Sequence, residues 1–226
     1  MTETLLLAAI LIPCLVIAIV FHEVAHGWMA LSLGDPTAKN ARRLTLNPIR
    51  HVDPVGTLLV PGALALVGGP IFGWAKPVPV RKNRLNNPRF GMMAVAAAGP
   101  GTNFILAFVG AVALGLMVAT IPDGGDIAQT FAQGLNYFIL INIFLALFNL
   151  LPIPPFDGSH ILDGLLPIRA ALAYDKLRPV GMLLLVGLIA LTWIAPDLGV
   201  VENVILPPVE WLHGFYLQLV ATVGGI

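Results

Sequence analysis

The stretch Phe21-His22-Glu23-Val24-Ala25-His26-Gly27 sets both the chemistry and the surroundings of this chain, because it lies inside an apolar run from about Thr4 to Leu33. On a helix, residues four apart lie on one face, so the two histidine side chains can reach the same metal ion. Glu23 projects beside them, where a carboxylate can take a proton from an attacking water. This HExxH spacing is typical of zinc hydrolases, whose ion usually has a third protein ligand.

The composition indicates an integral membrane protein. Of the 226 residues, 58% are hydrophobic and 11% are charged, and the mean hydropathy is +0.89. These values lie well outside the range of soluble domains. Twelve basic residues balance twelve acidic ones, so the net charge indicates no nucleic-acid partner. The single cysteine, Cys14, excludes an internal disulfide and a cysteine-based zinc site within this sequence.

Long apolar segments predict an all-α polytopic membrane protein with about five to six transmembrane helices. The first segment ends at Gly34-Asp35-Pro36, and thirty helical residues measure about 45 Å, more than the hydrocarbon core of about 30 Å. The later apolar segments are Met92 to Ile121, about Ile127 to Leu151, Val180 to Ala195 and about Val204 to Val223. The last of these either crosses the membrane or lies on its surface. We expect one membrane domain over residues 1–226, with a catalytic core at about 4–166 and C-terminal helices at about 179–224.

The positions of the basic residues predict the topology, because lysine and arginine in short loops favour the cytoplasmic side. All twelve fall in three regions: four between Lys39 and Arg50, five between Lys76 and Arg89, and three between Arg169 and Arg178. The first two regions share a side only if Gly56 to Phe72 does not cross the membrane. The glycines and prolines of that segment favour a re-entrant path. We therefore expect a multi-pass protein whose active site, at His22 and His26, faces the cytoplasmic side.

Asp157 is the best candidate for a third metal ligand. It follows the third long helix after the proline-broken turn from Asn149 to Phe156, on the same predicted side as His26. From the residues alone, an N-cap of a helix at Gly158 to Leu166 is an equally good interpretation. The other candidates are His51, which spacing does not exclude, together with Asp53, His160, Asp163 and His213; we expect His160 and Asp163 to lie outside the ligand set.

Four separated motifs resemble the site-2 protease family, the intramembrane zinc metalloproteases of peptidase family M50, and especially its short members. In the family's order they are Phe21 to Gly27, Phe72-Gly73-Trp74-Ala75-Lys76-Pro77-Val78-Pro79, Ala98-Gly99-Pro100-Gly101-Thr102-Asn103, and Asn149-Leu150-Leu151-Pro152 with Phe156-Asp157-Gly158. The resemblance implies one zinc ion per chain, held by His22, His26 and Asp157, with Glu23 as the general base. It also implies that Asn103 and Asn149 help to form the site, and the 226 residues leave no room for the PDZ or CBS domains of some relatives.

The resemblance also implies a small β-hairpin after the first helix, to which Gly73 to Pro79 belongs. We expect its edge at Lys76, Pro77, Val78, Pro79 and Val80 to hold an extended substrate by β-augmentation. Asn149 is expected to donate to the oxyanion or to the substrate, with capping of the helix end near Pro152 as the alternative.

These observations predict a zinc-dependent intramembrane endopeptidase that cleaves transmembrane segments of membrane proteins in the lipid bilayer. A transmembrane helix satisfies its own backbone hydrogen bonds, so the scissile peptide must first become extended. Two alternatives stay open. A membrane metallohydrolase of a non-peptide amide or ester would use the same ligands, and a zinc-binding transporter would use them without needing Glu23.

Overall fold

The computed structural model describes residues 2–66, 73–121, 124–199 and 201–225, and within these ranges the chain is helical, with no strand. The α-helices are α1 (Thr2–Ser32), α2 (Thr37–Asn40), α3 (Val60–Leu66), α4 (Pro88–Thr120), α5 (Asp126–Asn149), α6 (Asp157–Leu165), α7 (Ile168–Tyr174), α8 (Gly181–Ile194) and α9 (Leu206–Gly224). Single helical turns join several of them. The expectation of an all-α protein is confirmed.

Four helical segments of the described chain are long and apolar enough to cross a membrane: Leu5–Ser32, Pro88–Thr120, Asp126–Asn149 and Ile168–Ile194. They support an integral membrane protein, although the predicted count of five to six spans is not confirmed. The 19 residues of α9 include Glu210, His213 and Gln218, which lower its hydropathy. This helix is therefore not one of the four candidates.

The end of α1 and the start of α4 lie side by side. α1 stops at Gly34, whose φ of 101° is a left-handed conformation that glycine adopts without a Cβ clash. α4 starts at Asn87, whose side chain accepts from the backbone N–H groups of Arg89 and Phe90, as an N-cap does. The N–H of Asn86 donates to the carbonyl of Leu33 at 2.8 Å. The two helices are therefore joined at the end of α1 that carries the histidine pair.

α4, α5 and α9 form the main apolar core. Its buried members are Ala107, Ala111, Leu114, Ile139, Ile143, Val209 and Val220. Small residues on α4 allow close packing, as in many membrane helix pairs: a Cβ on Gly115 would lie 2.7 Å from the Cβ of Val223, on α9. This core fixes α4 as the central helix against which the site residues of α1 and α6 are placed.

The expected β-hairpin is not confirmed. Lys76–Val80 is neither helix nor strand in the described ranges; its alternating prolines favour an extended chain but carry no N–H for a ladder. The N–H of Trp74 donates to the carbonyl of Gly56 at 3.1 Å. Gly56 and Trp74, at the two ends of the intervening segment, therefore lie next to each other. Of the segment expected to be re-entrant, residues 67–72 lie outside the described ranges, and a path into the membrane is not confirmed.

Candidate active site

The side chains of His22, His26 and Asp157 converge. α1 places the two histidines one turn apart, and α6 brings Asp157 to them from 135 positions along the chain. The Nε2 atoms of His22 and His26 lie 3.1 Å and 3.3 Å from Asp157 Oδ2, and one potential ligand atom from each residue lies within 4.8 Å of the others. Two imidazole nitrogens and one carboxylate oxygen form a donor set that suits catalytic zinc.

Asp157 is the first residue of α6, but its carboxylate bonds to the histidines, and the helix has no side-chain cap at its N-terminus. Burial raises the pKa of Asp157, yet hydrogen bonds from His22 and His26 outweigh burial and lower it to about 2. The carboxylate is therefore ionised at neutral pH, as a metal ligand must be. Gly158 allows this placement, because a Cβ there would overlap the backbone of Leu150 and Leu151.

The other ring nitrogens of both histidines are also bound. His26 Nδ1 lies 2.7 Å from the carbonyl oxygen of Val95, and His22 Nδ1 lies 2.6 Å from Asn103 Oδ1. A carbonyl oxygen only accepts, so His26 carries a hydrogen on Nδ1, and a bound metal ion would take the place of the hydrogen that Nε2 directs to Asp157. Such partners hold a metal-binding imidazole in one orientation.

Gly99 of α4 lies directly against both rings. A Cβ on this residue would be 2.5 Å from His26 Cε1 and Nε2 and 2.6 Å from His22 Cε1, much closer than the usual separation of about 3.5 Å or more between non-bonded carbon atoms. The close approach of α1 to α4 at the site therefore requires glycine at this position.

Glu23 contacts the extended segment. Its Oε2 accepts from the N–H of Val78 at 2.8 Å. The same segment is held at Lys76, whose carbonyl accepts from Arg43 Nη2 at 2.6 Å and whose N–H donates to the carbonyl of His51 at 2.9 Å. The candidate general base and the extended segment therefore touch directly.

Asp35 holds the far end of that segment. Its carboxylate is fully buried and accepts from the N–H of Arg81 at 2.6 Å and from the N–H of Thr37 at 3.0 Å. Burial raises the pKa of Asp35, but these hydrogen bonds outweigh it and the net shift is downward. An ionised Asp35 thus anchors the segment next to the end of α1.

A cavity of about 310 Å³ opens at the site. Its wall includes His22, Glu23, His26, Pro77, Val78, Val80, Met92, Val95, Ala96, Asn149, Pro155, Asp157 and His160. Asn149, the last residue of α5, donates from Nδ2 to the carbonyl of Leu145 at 2.9 Å. His160 lies beside Arg178 Nη1 at 3.0 Å, and burial, aided by that positive charge, lowers its pKa to about 4. The cavity thus combines the candidate metal ligands with extended backbone.

The remaining sequence candidates lie elsewhere. His51 Nε2 is 2.8 Å from the carbonyl of Thr45, Asp53 caps a helical turn at Pro54, and His213 Nε2 is 2.9 Å from Asn136 Oδ1. Asp163 is buried and forms ion pairs with Lys82 and Arg178 at 3.4 Å and 3.3 Å, which holds α6 in place.

Gly99 and Asn142 contact the site, although sequence patterns alone assign a role to neither. Gly99 lies in the motif Ala98 to Asn103 and against both histidine rings, and Asn142, on α5, is bound to Asn103. The sequence signal for Asn142 is its position in the middle of an apolar span. A polar side chain is costly at membrane depth unless its hydrogen bonds are satisfied, so its presence there indicates a function.

The family model described as Peptidase family M50 matches residues 114–192. That range contains Asn149 and Asp157, whereas the histidine pair precedes it. No solved structure matches the chain significantly.

Three curated relatives are similar to most of the chain. It is 45% identical to "Putative zinc metalloprotease YwhC" of Bacillus subtilis over 161 residues, which are 70% of this chain and 69% of that protein. It is 32% identical to "Putative zinc metalloprotease MJ0611" of Methanocaldococcus jannaschii, over 63% of each chain. It is 25% identical to "Putative zinc metalloprotease Rip2" of Mycolicibacterium smegmatis, over 74% of this chain and 61% of that protein. The last two matches span less than two thirds of the relatives' length.

Proposed function

The chain belongs to peptidase family M50 and is a zinc metalloendopeptidase, and we propose that it cleaves transmembrane segments of membrane proteins within the bilayer. The observation that carries this proposal is the placement of His22, His26 and Asp157 beside a candidate membrane span, in a cavity walled by the extended segment Lys76–Val80. Because His22 and His26 lie within the candidate span Leu5–Ser32, the proposed site acts on a peptide that lies in the membrane.

His22, His26 and Asp157 would hold one Zn²⁺, which when bound lowers the pKa of water and polarises a carbonyl. Glu23 accepts the proton of the attacking water and delivers it to the leaving amine. Its Oε2 is engaged by the N–H of Val78 at 2.8 Å, and the second carboxylate oxygen performs this transfer. Because the hydrogen bond to Val78 fixes the carboxylate, the proton acceptor is oriented before substrate arrives.

Asn149 and Asn103 have different proposed roles. An asparagine amide has two N–H donors, and that of Asn149 uses one on the carbonyl of Leu145. Its second donor is available to the oxyanion or to the substrate in the cavity. Asn103 is fully buried with its oxygen on His22, so we assign it to holding that ring and not to contact with substrate.

The extended segment offers substrate one edge only. In an extended chain, alternate residues direct their backbone groups to opposite edges. Both backbone groups of Lys76 and the N–H of Val78 are bound within the protein, whereas the edge at Pro77 and Pro79 has no N–H and offers carbonyl acceptors. We propose that substrate N–H groups pair with this edge. Such pairing favours transmembrane segments in which a helix breaks and starts again, because the first four N–H groups of the new helix have no partner within it.

We expect Arg43→Gln to lower kcat/KM for a transmembrane substrate about tenfold, because loss of a buried charge-assisted hydrogen bond loosens the segment. Arg43 is 8% exposed and holds the carbonyl of Lys76. Cleavage rates in proteoliposomes measure the effect. Arg42→Gln removes the same charge from the exposed neighbouring residue and should cleave normally; equal losses in both variants would contradict a role for the extended segment.

We propose that the catalytic cavity faces the cytoplasm and that the segment containing α3 is re-entrant. Contacts between Asn86 and Leu33 and between Lys76 and His51 support this arrangement, because they bring the first two basic regions to one end of α1. Basic residues in short loops favour the cytoplasmic side. A chain that leaves Gly56 and returns at Trp74 does not need to cross.

Mass spectrometry of the products from a panel of single-span substrates in proteoliposomes tests the proposed activity. We expect zinc-dependent cleavage between residues inside the span, with release of two membrane-derived fragments. Cleavage confined to soluble loops would overturn intramembrane proteolysis while leaving a metallopeptidase. Membership of a peptidase family favours this function over a non-peptide hydrolase and over a zinc transporter.

A further inference from the structure

We infer that Asn142 is a positioning residue for the metal site. Through Asn103 it holds His22 with the ring hydrogen on Nδ1, which leaves Nε2 free for the ion; the inference rests on the proposed metal site. The three residues come from α5, α4 and α1. The side chains of Asn103 and Asn142 are 0% exposed, and His22 is 7% exposed, so water does not compete for their hydrogen bonds.

Two main-chain carbonyls determine how both amides are turned. Asn142 Nδ2 lies 2.8 Å from the carbonyl oxygen of Phe138, which can only accept, so the Asn142 oxygen is directed to Asn103. Asn103 Nδ2 then donates to Asn142 Oδ1 at 2.8 Å and to the carbonyl of Ala18 at 3.2 Å. Both hydrogens of the Asn103 amide are therefore used, and turning either amide over would place oxygen against oxygen.

The orientation of Asn103 selects the tautomer of His22. With its nitrogen engaged, Asn103 presents Oδ1 to His22 Nδ1 at 2.6 Å, and an amide oxygen accepts only a hydrogen. His22 therefore carries a hydrogen on Nδ1, so Nε2, which lies 3.1 Å from Asp157 Oδ2, is the nitrogen that would bind the ion. The backbone of Phe138 and Ala18 thus specifies which nitrogen of His22 binds the ion.

An amide suits this position better than a carboxylate. A carboxylate often holds a metal-binding histidine, but at membrane depth a second buried negative charge costs free energy. His26 needs no such relay, because its Nδ1 bonds directly to the carbonyl of Val95. His22 is thus the ligand whose orientation depends on other side chains and can be altered by substituting them.

Asn142→Leu tests the inference, because it removes the support of Asn103 with a side chain of similar size that cannot hydrogen-bond. The Asn103 amide is then held by the Ala18 carbonyl alone, at 3.2 Å, so it fixes the His22 ring less firmly, and we expect the zinc dissociation constant to rise about 10- to 100-fold. Asn136→Leu is the matched control on the same helix: it removes the contact with His213 Nε2 at 2.9 Å and should leave zinc affinity unchanged. An equal loss of affinity in both variants would show a general packing effect and overturn the inference.

A second measurement needs no variant. Nitrogen-15 NMR of the zinc-loaded protein in lipid nanodiscs should show hydrogen on Nδ1 of His22 and none on Nε2; an Nδ1 without hydrogen would overturn the inference. Zinc binding distinguishes an error in the proposed metal site from an error in the role of Asn142. If the unsubstituted protein binds no zinc, the proposed metal site is wrong, whereas if it binds zinc and Asn142→Leu binds it equally well, only the role of Asn142 is wrong.

Discussion

Gly99→Ala should abolish zinc binding and, with it, peptide cleavage. The added Cβ would lie 2.5 Å from two ring atoms of His26 and 2.6 Å from His22 Cε1. Neither ring can retreat freely, since His22 is bound to Asn103, and His26 to Val95. We expect zinc affinity to fall more than about 100-fold, beyond the usual cost of losing a residue that merely supports a ligand.

Gly101→Ala is the matched control for this prediction. It makes the same change two residues further along α4, where an added Cβ has nothing within 4 Å among the described residues. Alanine favours a helix over glycine by about 1 kcal/mol, so this variant should bind zinc normally and be slightly more stable. Isothermal titration with zinc and cleavage of a reporter substrate measure both variants. Normal zinc binding by Gly99→Ala would contradict the close contact between α4 and the histidines.

Glu23→Gln should retain zinc and lose about 10²- to 10⁴-fold in kcat, the usual contribution of a general acid–base residue. The glutamine oxygen can still accept from the N–H of Val78, which Glu23 Oε2 does at 2.8 Å, so the extended segment keeps its anchor. The glutamine nitrogen cannot take a proton from water. The variant therefore separates proton transfer from the structure around it.

Single-turnover cleavage and zinc content, measured on the same preparation, test this prediction. Glu210→Gln serves as the control, because it removes one carboxylate from an exposed position of α9. Undiminished cleavage by Glu23→Gln would rule out Glu23 as the base. Loss of zinc together with cleavage would show that Glu23 acts in metal binding, which the proposed mechanism excludes.

The long helices were predictable because apolar periodicity and length are local properties of the chain. The prediction of Met92 to Ile121 corresponds to α4, and that of about Ile127 to Leu151 corresponds to α5. α9 is different: its Glu210, His213 and Gln218 make its hydropathy intermediate. Its position beside α4 and α5 depends on tertiary packing, which the local sequence does not predict.

The absence of helix over Lys76–Val80 was also predictable, since prolines at alternate positions exclude helix. The hydrogen-bond partners of this segment were not, because pairing depends on what the fold brings alongside. In the structure those partners are the side chains of Glu23 and Arg43 and the backbone of His51. The sequence therefore predicts the shape of the segment but not the groups that hold it.

The proposed metal ligands and the residues proposed to support them differ in the same way. His22, His26 and Asp157 are rare chemical types in an apolar chain, so spacing and topology suggest them as one site. Gly99 and Asn142 have their roles only because α4 and α5 pass close to α1. A glycine or asparagine in a span has many possible functions until its neighbours are known.

The convergence of α1 and α6 has a thermodynamic consequence. His22 and Asp157 are 135 positions apart, so an ion held between them acts as a removable cross-link between the first helix and the turn after the third long helix. A ligand that binds only the folded form adds about 2.7 kcal/mol of stability at 100 times its dissociation constant. The resistance of this protein to unfolding in the bilayer should therefore rise with the free zinc concentration, and zinc starvation should loosen the fold as well as stop the chemistry.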